Sequence, residues 1–234
     1  VQTPHLGAPV PAGAPSRPDT LGACGSITVG VLFADRRWRT GGNDMSQPTS
    51  AASAPRAVMP LVTIGVLGAA VAIALGAYGN VHDPTFEPFF VWFFSGQLQL
   101  KVWFCTLAIV LALFQVFSAA RIYGRLRWPR EVPSWFGEAH RLSGVLAFAA
   151  SLPVAYHCLW ALGYRTDAGA RVWWHSLLGC TFYGMFVVKV IAVRNHRLPG
   201  WTLPVVGGLT FAVLAGLWAT SALWFFGQDG LALV

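Results

Sequence analysis

Residues 138–164 read EAHRLSGVLAFAASLPVAYHCLWALGY, and residues 171–194 read RVWWHSLLGCTFYGMFVVKVIAVR, with the polar loop RTDAGA between them. Each long stretch is apolar over about the 20 residues that an α-helix needs to cross a bilayer. The pair therefore predicts a transmembrane helical hairpin. Because histidine within hydrocarbon is costly, buried examples usually bind a ligand or relay protons. Four of the six histidines lie in or beside this hairpin: His140, His157, His175 and His196.

The composition of the whole chain is that of a membrane protein. Of its 234 residues, 55% are hydrophobic and 11% are charged, whereas soluble domains are about 25% charged. The net charge of +7 does not indicate nucleic-acid binding, because the basic residues cluster at the ends of apolar segments. That distribution follows the positive-inside rule and predicts contact with a lipid bilayer.

Five segments are long and apolar enough to span a membrane, which predicts an all-α fold, a polytopic bundle of five transmembrane helices over residues 57–228. The predicted spans are 57–78, 100–122, 141–162, 172–193 and 204–226. The segment before them, residues 1–56, is rich in Pro, Gly and Ala, and we predict it to be disordered. Met45 lies shortly before the first span and is a candidate for the native start.

The charge bias between the two sides predicts the orientation. Eight Lys and Arg residues flank the spans on one side and three flank them on the other. The rule that positive charge stays inside then places the N-terminus in the cytoplasm and the C-terminus outside the inner (plasma) membrane. The outer loop at 80–99 contains His82-Asp83-Pro84-Thr85 and an aromatic run. We expect it to lie along the interface or pack over the helix ends, with a lid over a site as the alternative.

Two histidines are predicted to lie at matching depth. His157 is near the outer end of the third span and His175 near the outer start of the fourth, so their depths agree within about two helical turns. Two neutral imidazoles on neighbouring helices can hold a haem iron from both sides. We therefore predict one haem b near the outer face, with His157 and His175 as iron ligands. Hydrogen bonding to a neighbouring helix is the alternative for either histidine.

Residues near this pair suit a flat ring of porphyrin size. Gly179 lies one turn after His175, where the lack of a side chain permits close approach. Arg165 and Arg171 lie in the joining loop, within reach of two propionates, although lipid headgroups are the alternative partners. Pro153 predicts a bend in the third helix.

The histidines at the inner side match less well. His140 begins the third helix and His196 lies in the polar turn after the fourth, and their helical phases and depths differ. We expect a surface role for His196. For His140, the alternatives are ligation of a second haem, binding of a quinone headgroup, or capping of the helix. We expect Gln115 and Ser118 to form interhelical hydrogen bonds.

The two quoted stretches, together with LPGWTLPVVGGLTFAVLAGLWATSALWFF at 198–226 and the HDPT loop, resemble an uncharacterised family of five-helix actinobacterial membrane proteins over residues 60–226. More distantly, the histidine-bearing hairpin resembles ferric-reductase-like and b-type cytochromes. That resemblance implies haem b ligation by His157 and His175, with His140 as a further candidate. Those cytochromes commonly place two ligand histidines on one helix at a spacing that this chain lacks.

We therefore predict an electron-transfer component of the membrane that works with a redox partner or the quinone pool. Such a partner is needed because the sequence has no GxGxxG phosphate loop for a flavin or nicotinamide cofactor. A cofactor-free accessory subunit of a larger membrane complex is the alternative. A transporter is disfavoured, because acidic residues are missing from the spans.

Overall fold

The computed structural model describes residues 54–88, 90–128, 130–165 and 167–230, and within these ranges the chain is helical without strands. The helices are α1 (Ala54–Val81), α2 (Gln97–Ile122), α3 (Phe136–Tyr156), α4 (Ala170–Arg194) and α5 (Thr202–Trp218). A π-helical segment, His157–Leu162, continues α3, and another, Ala219–Leu223, joins α5 to the short α6 at Trp224–Asp229. The predicted disorder before Ala54 and the candidate start at Met45 lie outside the described residues.

The five-helix membrane fold predicted from the sequence is confirmed. In the part of the chain that the structure describes, five stretches are long and apolar enough to cross a membrane: Val58–Val81, Gln97–Ile122, Phe136–Leu162, Ala170–Arg194 and Thr202–Asp229. Large apolar side chains on the outside of the bundle are exposed, for example Met59 and Ile73 on α1. Such a surface is expected where helices face lipid tails. The side of the membrane on which each terminus lies stays a prediction.

The helices form a ring rather than a row of hairpins. α2 packs against α3 and α5, α4 packs against α5 and α1, and α1 also contacts the π-helical segment after α3. α3 and α4 follow each other in the chain, yet they meet through large side chains instead of packing backbone to backbone. The Phe148 and Phe186 rings stack at 4.1 Å, and the Tyr183 hydroxyl donates to the Ser151 carbonyl at 3.0 Å.

α1 and α4 approach each other closely at two glycines. A Cβ atom on Gly184 would lie 2.5 Å from the Gly68 carbonyl oxygen, and a Cβ atom on Gly68 would lie 2.8 Å from the Gly184 oxygen. Small residues at such positions allow membrane helices to pack with their backbones in contact.

The two ends of the bundle are named here after a histidine at each. The His175 end holds the ends of α1 and α3 and the starts of α2 and α4, while the His140 end holds the start of α3 and the end of α4. In the predicted orientation these are the outer and inner ends.

Candidate functional site

His175 lies in the second turn of α4 and faces α5. Its Nδ1 atom is 3.0 Å from Thr220 Oγ1. The Thr220 hydroxyl donates its own proton to the Gly216 carbonyl at 2.8 Å, so its oxygen accepts from His175. From these hydrogen bonds we assign the imidazole proton to Nδ1 and the lone pair to Nε2, and the ring also has a hydrogen bond with the Leu217 backbone. A histidine in this tautomer can bind a metal ion or accept a hydrogen bond from a ligand hydroxyl.

His175 lines a partly open cavity of about 90 Å³ between α1, α3, α4 and α5. Gly179, which the sequence analysis placed near the ligand, lies in the same wall. The lining is mostly apolar, and Ser151 and Tyr183 contribute polar groups. His157 is not one of the lining residues. The structure therefore brings His175 and Gly179 to one cavity without His157.

An open groove of about 400 Å³ adjoins this cavity, between α1 and α4. Ala72 and Gly76 are among its lining residues, and Tyr164 and Cys180 line both the groove and the cavity. The groove volume falls within the range of about 300–1,000 Å³ that small-molecule pockets occupy. Burial raises the pKa of the Tyr164 phenol, so its hydroxyl stays protonated and able to donate at neutral pH. The small cavity, whose mostly apolar wall carries His175 and a few hydroxyl groups, and the larger groove beside it together suit an amphiphilic molecule.

His157 is fully buried and takes part in a different set of contacts. Its Nδ1 atom lies 2.8 Å from the Pro153 carbonyl oxygen and its Nε2 atom lies 2.9 Å from the Phe90 carbonyl oxygen. A carbonyl oxygen only accepts hydrogen bonds, so both ring nitrogens are directed at protein acceptors and not at a ligand position. In the structure His157 thus forms contacts with neighbouring backbone, and its role as an iron ligand stays a prediction.

The loop that accepts this hydrogen bond, residues 82–94, packs over the end of α3. His82 Nε2 lies 3.2 Å from the Trp160 carbonyl oxygen, and the two rings lie 4.6 Å apart. The Phe86 amide donates to the Ala161 carbonyl at 3.0 Å. The last carbonyl groups of a helix have no hydrogen-bond donors within that helix. The contacts with the loop supply donors for such carbonyl groups at the π-helical end of α3. The loop therefore packs over a helix end, which is one of the positions expected for it from the sequence.

Arg171 contributes to an electropositive environment at the His175 end. It donates to the Thr220 carbonyl at 2.7 Å, and its guanidinium carbon lies 3.9 Å from the centre of the Trp224 ring. Lys101 is buried at the start of α2. Both Lys101 and Arg171 lie close enough to interact electrostatically with the His175 ring. A ligand oxygen at His175 would therefore lie near two positive charges.

Arg165 and His196 make their contacts near the protein surface. Arg165 donates to both carboxylate oxygens of Asp167 at 2.9 Å. This guanidinium holds the pKa of the Asp167 carboxyl below its usual range. His196 is exposed in the turn after α4, as expected for a surface residue.

A haem held between His157 and His175 does not fit this arrangement of side chains. Both nitrogens of His157 face backbone carbonyls, and His157 does not line the cavity that His175 lines. Among the described residues, no group of three or more His, Cys, Asp or Glu is placed to hold a metal ion.

A cluster of polar contacts joins α2, α3 and α4 at the His140 end. His140 Nδ1 lies 2.6 Å from Ser118 Oγ. The Gln115 side-chain amide donates to Ser143 Oγ at 2.9 Å and to the His140 carbonyl, while Lys189 Nζ donates to Gln115 Oε1 at 3.3 Å. The expected interhelical hydrogen bonds of Gln115 and Ser118 are thus confirmed. Their connection to His140 and Lys189 was not predicted.

Five apolar helices around a small cavity define this chain as a multi-pass membrane protein. Residues 60–233 match the family described as "Family of unknown function (DUF6529)", and the chain belongs to this family. No curated protein and no solved structure matches it. The comparisons therefore show the family and do not show the more distant resemblance to ferric-reductase-like and b-type cytochromes.

Proposed function

We propose that this chain binds a lipid-soluble hydroquinone at the His175 cavity and holds this electron carrier for a redox partner in the same membrane. The observation that carries the proposal is the contact of His175 Nδ1 with the Thr220 hydroxyl, from which we infer that the Nε2 lone pair is the acceptor that a phenolic hydroxyl needs. The nearby positive charges of Lys101 and Arg171 favour the ionised form of such a hydroxyl.

The volumes and linings of the two spaces support the same class of ligand. A membrane hydroquinone joins a hydroxyl-bearing ring to a long apolar tail, so it needs hydrogen-bond partners for the ring beside a larger space for the tail. The cavity takes the hydroxyl-bearing edge of the ring, and the groove of about 400 Å³ takes the remainder of the molecule. Tyr164, which lines both spaces, has a protonated hydroxyl to donate to a ring oxygen.

A binding titration tests the proposal. Purified protein in lipid nanodiscs is titrated with a decyl-substituted hydroquinone, and binding is followed by quenching of tryptophan fluorescence. We expect saturable binding, and binding at least about tenfold weaker for the same ring without its tail, because each buried methylene contributes about 0.8 kcal/mol. A flat titration would instead favour the accessory-subunit alternative.

A substitution that fills the groove should weaken binding of the tailed hydroquinone. A Cβ atom on Gly76 would lie 3.8 Å from Cys180 Sγ, so a Phe side chain at this position would extend from there into the groove. We expect Gly76→Phe to weaken binding by about tenfold, the loss of burial of roughly two methylene groups. Gly65→Phe is the matched control on the same helix, since nothing lies within 4 Å of its Cβ position. Equal affinities for the two variants would contradict the proposed position of the tail.

An optical spectrum distinguishes this proposal from the haem b hypothesis, which stays a prediction from the sequence. We expect the reduced-minus-oxidised spectrum of the purified protein to lack the bands of a haem held by two histidines. The physical reason is that both His157 nitrogens are directed at carbonyl oxygens. Haem b bands that disappear in both His157→Ala and His175→Ala would restore the haem hypothesis and overturn the hydroquinone assignment.

A further inference from the structure

The arrangement around His175 occurs a second time, at the opposite end of the bundle. His140 Nδ1 lies 2.6 Å from Ser118 Oγ, and the Ser118 hydroxyl donates to the Phe114 carbonyl of its own helix at 2.6 Å. The serine oxygen therefore accepts from His140, as the Thr220 oxygen accepts from His175. His140 consequently carries its proton on Nδ1 and its lone pair on Nε2.

A half-buried lysine accompanies His140, as Lys101 accompanies His175. Lys189 Nζ donates to the Gln115 side chain and lies close enough to interact electrostatically with the His140 ring. Its described partner is a neutral amide rather than a carboxylate, and Glu138, the acidic residue nearest in sequence to His140, is paired with Arg141 at 3.4 Å. Cations within a membrane span usually mark a pathway or a ligand, because they are costly to place there.

Aromatic rings of α2, the following loop and the start of α3 pack against one another at the His140 end of the bundle. The Phe136 ring, one turn before His140 on α3, lies 6.1 Å from that of Phe114 and 6.2 Å from that of Phe117. The Trp128 ring lies 6.2 Å from that of Phe117 and is exposed. A planar ring that enters between headgroups would meet aromatic faces and edges here, with which rings interact favourably.

We propose that His140, with Lys189 and the adjacent aromatic rings, forms a second binding site for a lipid-soluble hydroquinone, at the end of the bundle opposite His175. The hydroxyl donates to His140 Nε2, and the ammonium group of Lys189 stabilises negative charge on that oxygen. This inference rests on the proposed function, since it assigns the same class of ligand to a second site. The chain would then present one hydroquinone site at each face of the membrane.

The stoichiometry of binding tests this inference. The protein in nanodiscs is titrated with the decyl-substituted hydroquinone at a protein concentration well above the dissociation constant, so that the number of sites is measured. We expect two sites per chain in the wild type, one in His140→Ala and one in His175→Ala. A single wild-type site that only His175→Ala removes would overturn the inference and leave the proposed function intact. A single site that only His140→Ala removes would overturn the proposed function, and no binding at all would overturn both.

A milder pair of substitutions tests the same inference if the histidine variants fail to fold. Ser118→Ala removes the acceptor that holds the His140 tautomer, and Thr220→Val does the same for His175. We expect each to weaken its own site by about threefold to tenfold, the contribution of one hydrogen bond, and to leave the other site unchanged. Nitrogen-15 spectra of labelled histidine should show Nδ1–H on both residues in the wild type. Nε2–H on His140 would overturn the inference without any ligand being added.

Discussion

His175→Ala is expected to weaken binding of the decyl-substituted hydroquinone at the His175 cavity by about tenfold to a hundredfold. The substitution removes the acceptor of the ligand hydroxyl, and a buried hydroxyl without a partner costs about 1–3 kcal/mol. Fluorescence titration measures the effect, and the far-ultraviolet circular dichroism of the variant should match the wild type. The helix itself should persist, because alanine is the best helix former.

Two further variants separate a role in binding from a general effect on the bundle. His175→Gln keeps a side-chain acceptor in the cavity and should recover part of the lost affinity. His196→Ala changes an exposed histidine at the other end of the bundle and should leave affinity unchanged. If His196→Ala and His175→Ala weakened binding equally, His175 would have no specific part in it.

The five spans could be predicted from the sequence because apolar length is a local property. A helix must satisfy its own backbone hydrogen bonds in lipid, and the residues between Val58 and Asp229 alternate between long apolar stretches and short polar loops. The ring order of the helices could not be predicted in this way. α3 and α4 are joined by a short loop, yet their spacing is set by Phe148, Phe186 and Tyr183, whose rings meet between them.

The sequence could place some of the residues around His175 relative to one another and not others, for physical reasons. Depth along a helix follows from the rise per residue, so His175 and Gly179 could be placed near each other. Direction around a helix axis is less certain, and the π-helical segment that starts at His157 adds to this uncertainty. Thr220 gave no signal, since single hydroxyl residues are common in membrane helices. Ser118 was expected to bond to another helix, but only the fold shows that its partner is a histidine.

Gly184→Ala is expected to destabilise the protein by about 1–3 kcal/mol, the range for overpacking a close contact. Its new Cβ atom would lie 2.5 Å from the Gly68 carbonyl oxygen, a backbone atom that cannot rotate away. α1 must then move from α4, and in lipid no hydrophobic driving force between the helices offsets the lost van der Waals contact. Thermal denaturation of the protein in detergent, followed by circular dichroism, measures the effect.

Gly207→Ala provides the matched control for this contact. It also replaces a helical glycine with alanine, but nothing lies within 4 Å of its Cβ position. The intrinsic preference of a helix for alanine over glycine acts in both variants, so it raises stability equally and cancels in the comparison. The difference between the two denaturation midpoints therefore reports the contact between α1 and α4 alone. Equal midpoints would contradict close packing of the two helices.

Since α1 and α4 form the walls of the groove, a displaced α1 should also weaken binding of the tailed hydroquinone more than binding of its ring alone.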